Sequence, residues 1–152
     1  MSETRFQELG LALPDVPTPS ANYVAWRRDG GLLVLAGQVC EWNGKVLYTG
    51  KVGRDLDLET GQAAARICGL NLIAAIRQAC GSLDKIRGCL RLGGFVNSDP
   101  EFDSVPAVIN GASDLMMEVF GESGIHARTA VGVATLPRRA AVEVDAIFVV
   151  GD

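Results

Sequence analysis

The chain has 152 residues, which suits one domain with its own core and argues against a second. Its 14 basic and 18 acidic residues are scattered and leave a formal charge of -4, which argues against an electrostatic surface for nucleic acid or an anionic membrane. No stretch approaches the roughly 20 apolar residues of a membrane span, and "MSETRFQELG" lacks the basic-then-apolar order of a secretory signal, so a soluble, cytoplasmic protein is expected.

In chain order, Pro14, Pro17 and Pro19 predict an extended lead-in over residues 1–20, ahead of a single domain over residues 21–152. "NYVAWRRDGGLLVLAGQVC" reads as a hairpin turning at Asp29-Gly30-Gly31, followed by a further turn at Asn43-Gly44. The alanine- and leucine-rich run from Leu58 to Cys80 predicts a long helix, capped by Asp57 and stopped by Gly81. Ala64, Cys68, Leu72 and Ala75 recur at helical spacing and form its buried stripe.

Ile86 to Asn97 reads as a strand, and Pro106 and Gly121 bracket a second helix that buries Ile109, Ala112 and Val119. Two closing strands are expected over residues 128–135 and 140–150, joined around Leu136-Pro137-Arg138-Arg139. The order strands, helix, strand, helix, strands predicts an α+β fold: a mixed sheet with two main helices on one face.

The four cysteines, Cys40, Cys68, Cys80 and Cys89, contain no C-x-x-C pair, and His126 is the only histidine. Neither zinc nor another metal or cofactor is expected; the thiols read as buried and reduced, and His126 as an exposed loop residue.

The last two strands hold the candidate chemistry. Side chains alternate across a strand, so Arg128, Ala130 and Gly132 share one face of the first, and Thr129, Val131 and Val133 the other. The β-branched set is the expected helix-packed face. In the second strand Val142, Val144, Ala146, Phe148 and Val150 form the apolar face, with Glu143 and Asp145 opposite beside Ile147 and Val149. That mixed face predicts cover by another subunit. A guanidinium among small residues suits a planar carboxylate, but Arg128 pairs with Glu143 equally well, and periodicity alone favours that pair or an exposed arginine.

"IHARTAVGVATLPRRAAVEVDAIFVV", with "NYVAW", "LAGQV" and "VINGA", resembles the RidA/YjgF family of reactive intermediate deaminases, also called endoribonuclease L-PSP or translation inhibitor-like proteins. The likeness runs from about Tyr23 to Val150. It implies a chorismate mutase-like fold, a homotrimer with clefts between subunits, and a small-molecule carboxylate as ligand. It also implies that Arg128 binds the substrate carboxylate and Glu143 positions the attacking water, with Tyr23, Gly37, Gln38 and Asn110 as substrate contacts. Ordinary structural roles for those four stay open: packing for Tyr23, a strand-end polar group for Gln38, a plain helix position for Asn110. Backbone groups along Ala127, Thr129 and Ala130 are expected to meet the imine.

The chain departs from the family at Ala36 and Ala130, where well-studied deaminases carry serine and cysteine, and in "NGKVLYTGKVG", which resembles a longer branch. The leading expectation is metal-free hydrolysis of 2-imino acids to 2-ketoacids and ammonia. Non-catalytic binding of a small carboxylate is the second, and an RNA-directed nuclease or translation inhibitor, disfavoured by the acidic balance, the third.

Overall fold

The computed structural model describes residues 1–152. β1 (Trp26–Asp29) and β2 (Leu32–Val39) form the expected hairpin, with Gly30 at φ 57° in the turn. β3 (Glu41–Trp42) and β4 (Lys45–Val46) form a second, small hairpin whose Asn43 and Gly44 both have positive φ, the pairing that Asn-Gly tolerates best.

Between the hairpins and the next strand lies a helix of 23 residues, labelled α2 (Leu58–Cys80) because a shorter helix precedes β1. Asp57 accepts the Thr60 N–H at 2.8 Å at its start, and Gly81 ends it in the left-handed region. Then follow β5 (Ile86–Asn97), α3 (Val105–Phe120), β6 (Ala127–Val133) and β7 (Val142–Val150).

Both closing strands are shorter than their apolar runs. Lys51 Nζ captures the Ala134 carbonyl and Asn97 Oδ1, which ends β6, while Ala141 donates to the Tyr48 carbonyl before β7 begins.

The main sheet has the order β1-β2-β7-β5-β6, with β5 and β6 parallel and every other pair antiparallel. A parallel pair needs a crossover, and α3 supplies it. α2 lies over β2 and β7, and α3 over β5 and β6, so both main helices cover one face. The fold is the expected mixed α+β arrangement. Val142, Val144, Ala146, Phe148 and Val150 are all buried beneath the helices. No helix is long and apolar enough to cross a membrane.

The lead-in differs from its expectation. Residues Ser2–Glu8 form α1, and only the segment after it runs without regular structure to β1. A seven-residue helix is marginal in water, so docking must stabilise it. Phe6 is buried in the same core cluster as Phe148, with the Arg77 guanidinium 4.9 Å above its ring. Glu3 pairs with Arg77 at 2.6 Å and accepts the Leu83 N–H at 2.8 Å. These are contacts across more than 70 residues of sequence, which local periodicity cannot register.

Candidate functional site

The first cluster surrounds a cavity of about 670 Å³. β2 carries one extra residue opposite β7 at Ala36–Gly37, a bulge that brings Gly37 over Glu143. A Cβ at Gly37 would lie 2.6 Å from Glu143 Oε2, so the missing side chain makes room for the carboxylate. Tyr23, Gln38 and Glu143 line the cavity with Gly37, and the proline-rich segment Asp15–Ser20 forms its outer wall. That wall is pinned where the Asp15 N–H donates to Asn43 Oδ1 at 2.8 Å.

Glu143 is half-buried, and its carboxylate receives no hydrogen bond from the chain. Burial pushes its carboxyl above the ordinary range, and the nearby Asp145 carboxylate adds to the rise. A carboxyl so placed can hold water and exchange a proton with it.

The second cluster lies on α3 and β6. Arg128 Nη1 donates to Ser113 Oγ and Nη2 to the Pro106 carbonyl, both at 3.1 Å. Asn110 is half-buried one turn after Pro106, and Pro106, Asn110 and Ser113 fall on one helical stripe. β6 is the outermost strand, so the backbone groups along its free side, between Ala127 and Ala130, have no strand partner.

Three expectations are corrected here. Arg128, Ala130 and Gly132 face the helices: Arg128 bonds to α3, Ala130 packs on the core, and a Cβ at Gly132 would meet the Ser98 hydroxyl, with Val105 of α3 at ordinary contact distance. Thr129 and Val131 occupy the open face, where Thr129 Oγ1 accepts from Arg91 at 3.4 Å and Val131 is 40% exposed. The small residues therefore lie on the helix side of this edge strand, while the β-branched Thr129 and Val131 lie on the uncovered surface.

Second, Arg128 makes no ion pair with Glu143. Glu143 shares its cross-strand row with Phe95 and Val131 on the open face, whereas Arg128 faces α3 three residues back along β6. Third, His126 is not an exposed loop residue. It is half-buried, with Nε2 2.8 Å from Ser113 Oγ and Nδ1 2.7 Å from the Gly124 carbonyl.

The structure thus gathers Tyr23, Gly37, Gln38 and Glu143 in one place and Asn110, Ala127, Arg128 and Ala130 in another, with Thr129 apart from both. Sequence reasoning missed Ser113, Glu41 and Arg138. Arg138 sits at φ 55° in the connection between β6 and β7, where it is the cavity's only cationic side chain; it pairs with the buried Glu41 and donates to the Gly44 carbonyl at 3.3 Å. Its one sequence signal was the Arg138-Arg139 pair itself. The four cysteines are buried with free thiols; Cys40 donates to the Tyr48 carbonyl and Cys68 to that of Val142.

Three relatives bear on this geometry. Protein TCP17 of Trypanosoma cruzi is 46% identical over 93% of this chain and 89% of its own. The Agrobacterium tumefaciens protein Atu1372, of unknown function, is 47% identical with a TM-score of 0.91, covering 99% of this chain and 94% of that one. RidA from an Antarctic Psychrobacter is 25% identical with a TM-score of 0.60, covering 90% and 94%. The family model described as "YjgF/chorismate_mutase-like, putative endoribonuclease" matches residues 3–148, and the chain belongs to that family.

Proposed function

We propose that the protein hydrolyses 2-imino acids without a metal or other cofactor, in a cleft completed by two copies of the chain within a homotrimer. Arg128 of one copy holds the substrate carboxylate, and Glu143 of its neighbour orients the water. Water adds to the imine carbon, Glu143 takes and returns its proton, and the tetrahedral intermediate expels ammonia to leave a 2-ketoacid. Asn110 and the free edge of β6 supply polar contacts on the arginine side, Tyr23 and Gln38 on the other.

The observation that carries the reading is the half-buried Glu143 carboxyl, unpartnered and facing a cavity, while the cation that should accompany it stands on the opposite face of the same sheet. A single chain therefore has two incomplete halves. Assembly is supported by the open face, where Leu32, Val34 and Val131 are each 40–47% exposed around Ile147 and Val149. Such a surface costs free energy in water and favours burial against another copy.

The test is ammonia release from a freshly generated 2-imino acid, with a chelator present, by protein shown to be trimeric by light scattering. Release faster than buffer alone is expected, and its absence would overturn the assignment. A second reading is favoured by Ala36 and Ala130, which replace the serine and cysteine of well-studied deaminases. A cleft that only binds would take up 2-ketoacids without releasing ammonia.

Gly37→Ala makes a sharper demand. The flexible Glu143 side chain can swing away from the new methyl, so the loss of stability should stay near the lower end of the roughly 1–3 kcal/mol that overpacking costs. Turnover should nevertheless fall, because the displaced carboxyl no longer meets the water. Melting curves alongside ammonia release separate the two effects.

A further inference from the structure

Ser113 is out of character for its position. It is 8% exposed on the core side of α3, next to the buried Ala112 and one turn from Ile109 and Met116, where an apolar residue would pack at lower cost. Its hydroxyl is nonetheless fully used, accepting from Arg128 Nη1 at 3.1 Å and lying 2.8 Å from His126 Nε2.

The direction of each bond follows from the last one. The Gly124 carbonyl can only accept, so His126 Nδ1, 2.7 Å away, must carry a proton. In the neutral ring Nε2 is then the acceptor and takes the Ser113 proton. The chain runs from Arg128 N–H to Ser113 O–H to His126 Nε2, and from His126 Nδ1–H to Gly124. Gly124 is part of this device: a Cβ there would fall on the Met116 carbonyl oxygen, so only glycine lets the turn lie against α3 with its carbonyl under the imidazole.

Arg128 is held without a carboxylate, as is Arg28, whose Nε and Nη2 donate to the Gly30 and Gly151 carbonyls. Arg54, Arg66, Arg77, Arg91 and Arg138 all pair with a carboxylate. Both oxygens that hold Arg128, Ser113 Oγ and the Pro106 carbonyl, are neutral. Two fixed points define the plane of the guanidinium, and neither neutralises it.

From this we infer that Ser113 and His126 are positioning residues, which lock the Arg128 guanidinium in the orientation that receives a planar carboxylate while leaving its charge uncompensated. The inference rests on the reading of Arg128 as the carboxylate anchor. Holding a first contact by a second layer of hydrogen bonds reduces the ordering cost of binding and sharpens its geometry.

The experiment uses the assembled protein with 2-oxobutanoate as probe, read by calorimetry and by 15N spectra of the chain's single histidine. Ser113→Ala and His126→Ala should each weaken binding about tenfold, and His126→Gln, whose amide oxygen accepts the Ser113 proton, should recover affinity to within about threefold of wild type. The spectrum should show the neutral ring protonated on Nδ1, and 2-oxobutanoate should shift its Nε2 resonance in wild type but not in Ser113→Ala. A ring protonated on Nε2, or wild-type affinity in both alanine variants, overturns the inference. Arg128→Ala separates the layers. If it still binds 2-oxobutanoate, the anchor reading falls and this inference with it; if it alone loses binding, only this inference falls.

Discussion

Arg128→Ala is expected to abolish 2-ketoacid binding and imino acid hydrolysis while the protein stays folded. Losing a charge-assisted anchor costs about 1.5 to 3 kcal/mol, a drop in affinity of roughly 10- to 150-fold. The fold should tolerate the change, because Ser113 keeps His126 as a partner and Arg128 itself is only half-buried, so water can reach the vacated carbonyl of Pro106. A melting temperature lowered by no more than about 5 °C is consistent with the loss of one or two weak, partly hydrated bonds. Arg128→Lys should rescue little, since one ammonium cannot hold Ser113 and Pro106 and also present a two-pronged face to the ligand. Calorimetric titration beside thermal melts checks this. Unchanged affinity in a folded Arg128→Ala variant would remove the carboxylate anchor from the proposed mechanism.

Glu143→Gln should do the reverse, keeping the ligand and losing the reaction. The amide is nearly isosteric but cannot accept a proton from water, and loss of a general base lowers turnover by about 10²- to 10⁴-fold. Binding of 2-ketoacids should persist, because Arg128 is untouched.

Stability provides an independent check of the same residue. Burial and Asp145 raise the Glu143 carboxyl above its ordinary value of 4.5, so the folded chain holds that proton more tightly than the unfolded one. The resulting stabilisation is present below the ordinary carboxyl range and is lost as pH rises through the raised value. Glutamine does not titrate. The variant should therefore melt with wild type in acid and above it at neutral pH, a stabilisation that accompanies lost turnover. Melting curves across that interval decide it; a variant less stable than wild type at neutral pH would mean that the charged carboxylate is satisfied in the fold.

The glycine and proline punctuation, the capped alanine-rich helix and the alternation in β7 made most of the architecture legible, because each depends on residues a few positions apart. Asp57 and Gly81 bound α2 by local hydrogen bonding and backbone freedom, and the alternation from Val142 to Val150 is a property of any strand. The resemblance in "IHARTAVGVATLPRRAAVEVDAIFVV" singled out Arg128 and Glu143 for the same reason: a motif is contiguous.

Alternation divides a strand into two faces but does not say which one the helices cover. On β6 that is decided by tertiary contacts, since Arg128 bonds to Ser113 and Pro106 of α3 and Ala130 packs on the core, so the β-branched side is left open. Helix α1 likewise exists because Phe6 finds the core and Glu3 finds Arg77, far along the chain. The sequence by itself thus determined the elements from β1 onward, their order and, through the resemblance, the two groups on which the proposed imine chemistry rests. Only the tertiary structure decided that those groups stand on opposite faces of one sheet, and that Ser113, His126, Glu41 and Arg138 surround them, because packing between distant segments sets faces and partners while local pattern sets only periodicity.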